Sequence, residues 1–403
     1  MNESSLRYEG WRVALAAGTG VLFASFFFMS FAVFVKPLAA EFGGSRETVS
    51  IAYGVMTLGA AFAAPLVGHL LDRHGPRWIC APCLAVAALA FASLWRLTPQ
   101  LWHLYLVFAV VGLAVMGTGP VVYTRIVSTW FDRRRGIALA VVVSGAAIGG
   151  IVHPFASQTL IDAAGWRTAC LVLGMTILVA GVPVAILFVR QRADRASSLP
   201  RDAARAELKR ALRSRIFWTI TIVVFGSTVA MNGPLVHMQA LLTDRGISAA
   251  SAAALGSAAG VAGLAGRFVT GWLVDRIDAA RVAFGLLCLV ASGAYLLTSD
   301  RSVAINIAGG FVMAFGAGGE LDAIPYLLSR HFGVRSMAAL YGLVWSAWGI
   351  AGAVGSILMG RIFDATGSYD GALVGFAIAT AAAAALMLTV PAYAKPAAGH
   401  VAV

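Results

Sequence analysis

GHLLDR at residues 68–73 returns as GWLVDR at 271–276. The two hexapeptides stand about 200 positions apart, and longer stretches keep that spacing. WFDRRRGIALAVVVSGAAIGG at 130–150 is matched by HFGVRSMAALYGLVWSAWGIAG at 331–352, and each runs on into a loop containing IDAAG or FDATG. A chain that repeats its own order across its length is built from two related halves related in parallel.

The material between these landmarks is apolar. Of the 403 residues 60% are hydrophobic and only 12% charged, and mean hydropathy is +0.83, too little charge to cover a water-soluble surface. Apolar stretches of about twenty residues alternate with short polar segments, which points to membrane-spanning helices and away from the ten-residue alternating strands of a barrel. Twelve spans are predicted, at 13–36, 50–71, 78–96, 101–124, 136–160, 168–190, 215–238, 252–273, 280–298, 302–326, 337–360 and 371–393. The expected fold is therefore an all-α integral membrane protein of two six-helix bundles, 1–190 and 215–403, joined by an Arg- and Ala-rich cytoplasmic linker, 191–214, whose second part reads either as an amphipathic helix at the interface or as a solvated linker. The 44 glycines and 13 prolines suit close-packed, locally broken membrane helices.

Charge orients the bundle. Placing the N-terminus and every second loop on one side gives that side 22 of the 30 lysines and arginines, against seven opposite, with Arg267 left within the membrane. Both termini are then expected in the cytoplasm, in a plasma membrane or a bacterial inner membrane. The net charge of +12 has this origin, and basic residues dispersed over short loops do not make a nucleic-acid surface. The first span is too long for a signal peptide and lacks a cleavage site. The CAPC stretch, Cys80 to Cys83, starts a span without a βαβ context and reads as packing. No metal-ligand cluster, phosphate loop or nucleophile–base pair is apparent, so neither enzyme chemistry nor a cofactor is expected.

GHLLDRHGPRW and its weaker copy GWLVDRIDAAR resemble the loops between the second and third, and the eighth and ninth, spans of the major facilitator superfamily. YEGWR at 8–12 and FVKPLAAEFGGSRETVS at 34–50 resemble the monocarboxylate transporter and oxalate:formate antiporter branch. The resemblance implies a monomeric secondary transporter with its solute held between the halves. It also implies gating at the inner side by Asp72, Arg73 and Arg77 and by Asp275 and Arg276, while Arg125 at the inner end of the fourth span, which the repeat sets against Tyr326, reads as a further gate or as an inner-boundary charge.

Arg267, in GVAGLAGRFVTGWLVD at 260–275, is the clearest contact for a solute, because a charge within hydrocarbon needs a function or a partner. Its planar fork suits a carboxylate, and carriers of that branch have a carboxylate-binding arginine in the matching helix. An ion pair with Glu320 or Asp322 is the competing role. GGELDAIPYLLSR at 318–330 puts Asp322 at the depth expected for Arg267 and Glu320 nearer the centre, some 200° away around the helix, while Gly318, Gly319 and Pro325 predict a local break. Glu320, Asp322 and His153 are the proton-coupling candidates, with His153 and His237 also readable as packing. Phe31, Asn232, Tyr123 and Tyr326 complete the expected substrate-binding set. The branch's acid one turn before the arginine is Gly263 here, and its lysines are absent from the first and eleventh spans. The expected function is proton-coupled transport of a small organic monoanion in membrane lipid. A larger aromatic or nearly neutral metabolite such as a vitamin or drug-like compound, or proton-independent anion exchange, are the alternatives.

Overall fold

In the computed structural model the described residues are 9–74, 77–119, 122–123, 126–127, 130–131, 135–189, 209–274, 276–298, 302–332 and 337–391. Within them the regular structure is helical. The N-terminal bundle holds α1 (Glu9–Met29), α2 (Phe31–Glu41), α3 (Arg46–His74), α4 (Arg77–Ala92), α5 (Leu101–Val115), α6 (Arg135–Thr176) and α7 (Val182–Phe188). The C-terminal bundle holds α8 (Arg215–Asp244), α9 (Ala249–Val274), α10 (Ala279–Leu296), α11 (Val303–Phe332), α12 (Met337–Thr366) and α13 (Asp370–Met387).

Among the described residues eleven helical stretches are long and apolar enough to cross a membrane, and one of them, Ile137–Phe188, is 52 residues long. That one turns back at Gly165, whose φ of 79° is open to glycine without a Cβ penalty, so the chain makes the twelve expected passes. The first pass is α1 and α2 in succession, interrupted at Ser30. Phe62, Val179 and Ile378 are exposed, as lipid-facing side chains are. The amphipathic linker helix expected within 191–214 falls almost wholly outside the described residues, which resume at Lys209.

One expectation is overturned. The helix carrying Gly318, Gly319 and Pro325 is continuous over the 30 residues of α11, with no break. Its glycines serve packing instead: a Cβ on Gly318 would lie 2.1 Å from the carbonyl oxygen of Gly263 on α9, where a Cβ on Gly266 would in turn lie 2.0 Å from that of Phe315. In lipid, where apolar surface gains nothing from leaving water, close backbone approach is what holds helices together.

We call the end of the molecule that carries the N-terminus and the link between bundles the linker face, and the opposite end the far face. Towards the far face the bundles meet along three seams, α3 with α12, α2 with α8, and α6 with α9. Gly349 lies against Ala61, Gly54 against Ala353 and Ile357, and Gly360 against Arg46 and Ser50, so α3 and α12 stay in contact over several turns.

Candidate functional site

Arg267 is half-buried on α9, on the side facing α6. The two helices cross where Gly260 meets the backbone of Gly150, and on the linker side of that crossing they diverge. The resulting cleft, of about 260 Å³, is lined by Leu139, Val143 and Ser144 of α6 and Leu264, Arg267 and Phe268 of α9. It sets a guanidinium between the two bundles. Gly263, where the branch has its acid, packs against Ala314 and Gly318, and its carbonyl oxygen is the atom that a Cβ on Gly318 would strike.

Glu320 is buried, at 5% exposure, and faces away from Arg267. Ser227 of α8 donates its hydroxyl to Glu320 Oε1, and among the described residues Glu320 forms no ion pair. Around it Thr228 and Met231 of α8, Ile324 of α11 and Trp345 and Trp348 of α12 line a narrow cleft of about 20 Å³, room for little more than one water. The two indoles stack at 4.8 Å with 16° between their planes, and Trp348 Nε1 is buried without an acceptor. One turn further along α12, Gly352 touches the amide of Asn232, which accepts a 3.1 Å hydrogen bond from Tyr53 across the bundle boundary. This polar pair roofs the cleft on the far side. Gly266 against Phe315 and Thr270 against Gly319 put Arg267 level with the 315–319 turn of α11.

Other expected site residues are placed elsewhere. Phe31 is packed edge-on to Phe108 and against Tyr53 in the N-terminal core. Tyr123 is fully buried in that bundle, its hydroxyl beside Gly20 and close to the Cys80 thiol. His153 Nε2 lies 2.9 Å from the carbonyl oxygen of Leu22, with Phe26 edge-on to its ring. These three pack within one bundle, and none of them lines the clefts beside Arg267 and Glu320. Tyr326 accepts from Arg330 at 2.8 Å on its own helix, and Arg276 stacks over Trp272 at 4.1 Å. Arg125 and Asp275 lie outside the described residues, as do the side chains of Asp72, Arg73, Arg77 and Asp322.

The densest polar site is one the sequence did not announce. At the far face Asp244, at the end of α8, accepts from Lys36 of α2 at 2.7 Å and from Arg46 of α3 at 2.5 Å. Arg46 also donates to the Tyr369 hydroxyl and lies 3.7 Å over the ring of Phe363. Asp364, at the end of α12, takes the hydroxyl of Ser45 at 2.9 Å and the backbone N–H groups of Arg46 and Glu47 at 3.1 and 2.9 Å. A carboxylate of one bundle therefore caps a helix of the other, where the orphan N–H groups and the positive end of the helix dipole favour an anion. Between α6 and α8 the tie is neutral: Gln239 donates to Gln158 at 3.2 Å, and Asp162, the repeat counterpart of Asp364, accepts from Gln158 on its own helix at 2.7 Å. The far face is shut by these contacts, while the Arg267 cleft opens on the linker side.

A family model described as Major Facilitator Superfamily matches residues 17–356. The chain is 26% identical over 342 residues to an uncharacterized MFS-type transporter, YhjX, of Escherichia coli K12, covering 80% of each chain. It is 26% identical over 393 residues to monocarboxylate transporter 13 of Bos taurus, covering 95% of this chain and 89% of that one. Among solved structures, a bacterial homolog of the human lysosomal transporter Spinster, inward-facing and occupied, superposes with a TM-score of 0.75 at 16% identity over 96% of this chain and 97% of that one. The nucleoside transporter NupG gives 0.74 at 10% identity, over 95% and 99%. At those identities the structural likeness speaks for the fold alone.

Proposed function

The chain belongs to the Major Facilitator Superfamily, and from that premise we propose that it is a secondary transporter of a small organic monoanion, a monocarboxylate, working by alternating access with accompanying protons. The observation that carries this reading is Arg267, a guanidinium within a membrane-crossing helix at a cleft between the two bundles. Keeping a charge there is costly, and a bidentate carboxylate is the partner whose geometry a guanidinium matches best. The relationship to a protein named as a monocarboxylate transporter supports the same class. Glu320, buried with one hydroxyl donor and no cation, suits a group that gains and loses a proton during the cycle. The linker face is read as cytoplasmic and the far face as external, so the described conformation is open inward.

Counterflow in proteoliposomes, with labelled monocarboxylates, dicarboxylates and aromatic metabolites at two pH values, tests it. Monocarboxylates should exchange, and Arg267→Gln should weaken apparent affinity about 10- to 100-fold, as expected for losing a hydrogen-bonded charge. Failure of every carboxylate to elicit counterflow would overturn the substrate class. The stacked Trp345–Trp348 pair beside Glu320 favours a second reading, an aromatic or nearly neutral solute, which the aromatic arm of the same panel would reveal.

A further inference from the structure

His237 sits in α8 at the far-face seam with no solvent exposure, and both ring nitrogens are engaged. Nε2 lies 3.2 Å from the carbonyl oxygen of Ser356, an atom that can only accept, so the ring proton is on Nε2. The Ser50 oxygen, 2.9 Å away, accepts from the same N–H and passes its own proton to the carbonyl of Arg46 at 2.7 Å. Nδ1 is then a bare lone pair, 3.1 Å from the Tyr369 hydroxyl. Burial pushes the Tyr369 phenol well above its ordinary range, so it keeps its proton and donates it to Nδ1, while its oxygen accepts from Arg46. The hydrogen bonds close a ring: Arg46 to Tyr369, Tyr369 to His237, His237 to Ser50, and Ser50 back to the backbone of Arg46. Two members belong to each bundle, and every donor has one direction available to it.

A proton on Nδ1 breaks this order. The hydroxyl of Tyr369 would face a second donor, and the new cation would share one phenol oxygen with the Arg46 guanidinium. The acids nearby offer no relief, because Asp244 is held by Lys36 and Arg46, and Asp364 by Ser45 and the start of α3. When the bundles part at this face, Arg46 and Ser50 leave with α3. The imidazole then meets water with Asp244 two turns away on its own helix, and an ordinary imidazole takes up a proton near pH 6.5. The shut state therefore excludes a proton that the open state accepts.

We propose that His237 is a proton-binding site that is empty while the far face is shut and filled when it opens, so that the proton supply on that side sets how often the transporter opens there. The inference draws on the alternating access of the proposed function and not on its solute.

The test uses the full chain in nanodiscs without solute, in a background lacking the four native cysteines. Spin labels replace Pro99 in the N-terminal bundle and Ala365 in the C-terminal one, both at far-face turns. On acidification from pH 8 to 5.5 the longer-distance population should grow at least about fivefold, within the limit of tenfold per pH unit for one proton. In His237→Gln, which keeps a side-chain N–H donor and cannot gain the charge, the populations should stay constant. In Tyr369→Phe, where Nδ1 has lost its hydroxyl donor, the response should persist with its midpoint moved to higher pH. A wild-type response in His237→Gln overturns the proposal, as does its loss in Asp244→Asn with His237 intact. If His237→Gln does not fold, the Tyr369→Phe midpoint decides, and an unmoved one overturns it. Because no solute is present, a wrong substrate class leaves this result standing.

Discussion

Ser227 donates its only hydroxyl proton towards a carboxylate inside a membrane-crossing bundle, so removing it strands an acceptor that water cannot readily reach. Ser227→Ala should destabilise the protein by about 1–3 kcal/mol, the cost of an unsatisfied buried polar group. Ser227→Ala combined with Glu320→Gln should cost less than the two singles together, measured by thermal unfolding in detergent as a double-mutant cycle. At this scale the sequence was partly legible. An acid within an apolar run marks itself, and the spacing of Glu320 and Asp322 already separated their directions. Ser227 could not be found, because a serine in an apolar helix is common and its partner is 93 residues away. Phe31, Tyr123 and His153 were overread for the converse reason: an aromatic or polar residue in a span looks the same whether it faces a cavity or a neighbouring helix.

Among the elements, α9 and α11 are joined backbone to backbone. A side chain at Gly266 would meet the Phe315 carbonyl at 2.0 Å, and a carbonyl in a helix cannot turn aside. Gly266→Val should drive the helices apart, with overpacking costs of about 1–3 kcal/mol or more and a loss of folded yield on size-exclusion chromatography. Gly271→Ala, on the same helix with no atom within 4 Å of the added carbon, should behave as wild type. The twelve passes were legible from hydropathy because lipid demands long apolar helices with their hydrogen bonds satisfied internally. The expected break at Gly318 was not borne out, since the same glycines that loosen a helix in water allow close packing in lipid. The interruption at Ser30 left no comparable signal, being marked by one serine, whereas the fold-back at Gly165 falls in the IDAAG loop between the spans expected at 136–160 and 168–190.

For the whole molecule, the far-face closure depends on residues that look like loop charges in the sequence. Lys36, Arg46, Asp244, Asp364 and Tyr369 are spread over the chain, Arg46 and Tyr369 being 323 positions apart, and no local pattern pairs them. The repeated IDAAG and FDATG loops marked where Asp364 lies but not that it reaches across. Asp364→Ala removes an acceptor for one hydroxyl and two backbone donors of the opposite bundle. Taking a lost helix cap as about 1 kcal/mol, the shut-to-open ratio at this face should fall about fivefold, read from the Pro99–Ala365 label distances at pH 8. An unchanged distribution would mean that the remaining contacts hold the face alone.

Two edges of the far face differ in what ties them. Lys36 and Arg46 pair with Asp244 and Asp364 caps α3 on one, whereas Gln158 and Gln239, both neutral amides, join the other. Salt screens the first edge and hardly touches the second. The far face should then swing like a door, its charged edge the latch and its amide edge the hinge, instead of parting like a pair of jaws. Label pairs across the two edges, compared at low and high salt, would separate by unequal amounts on a door and by equal amounts on jaws.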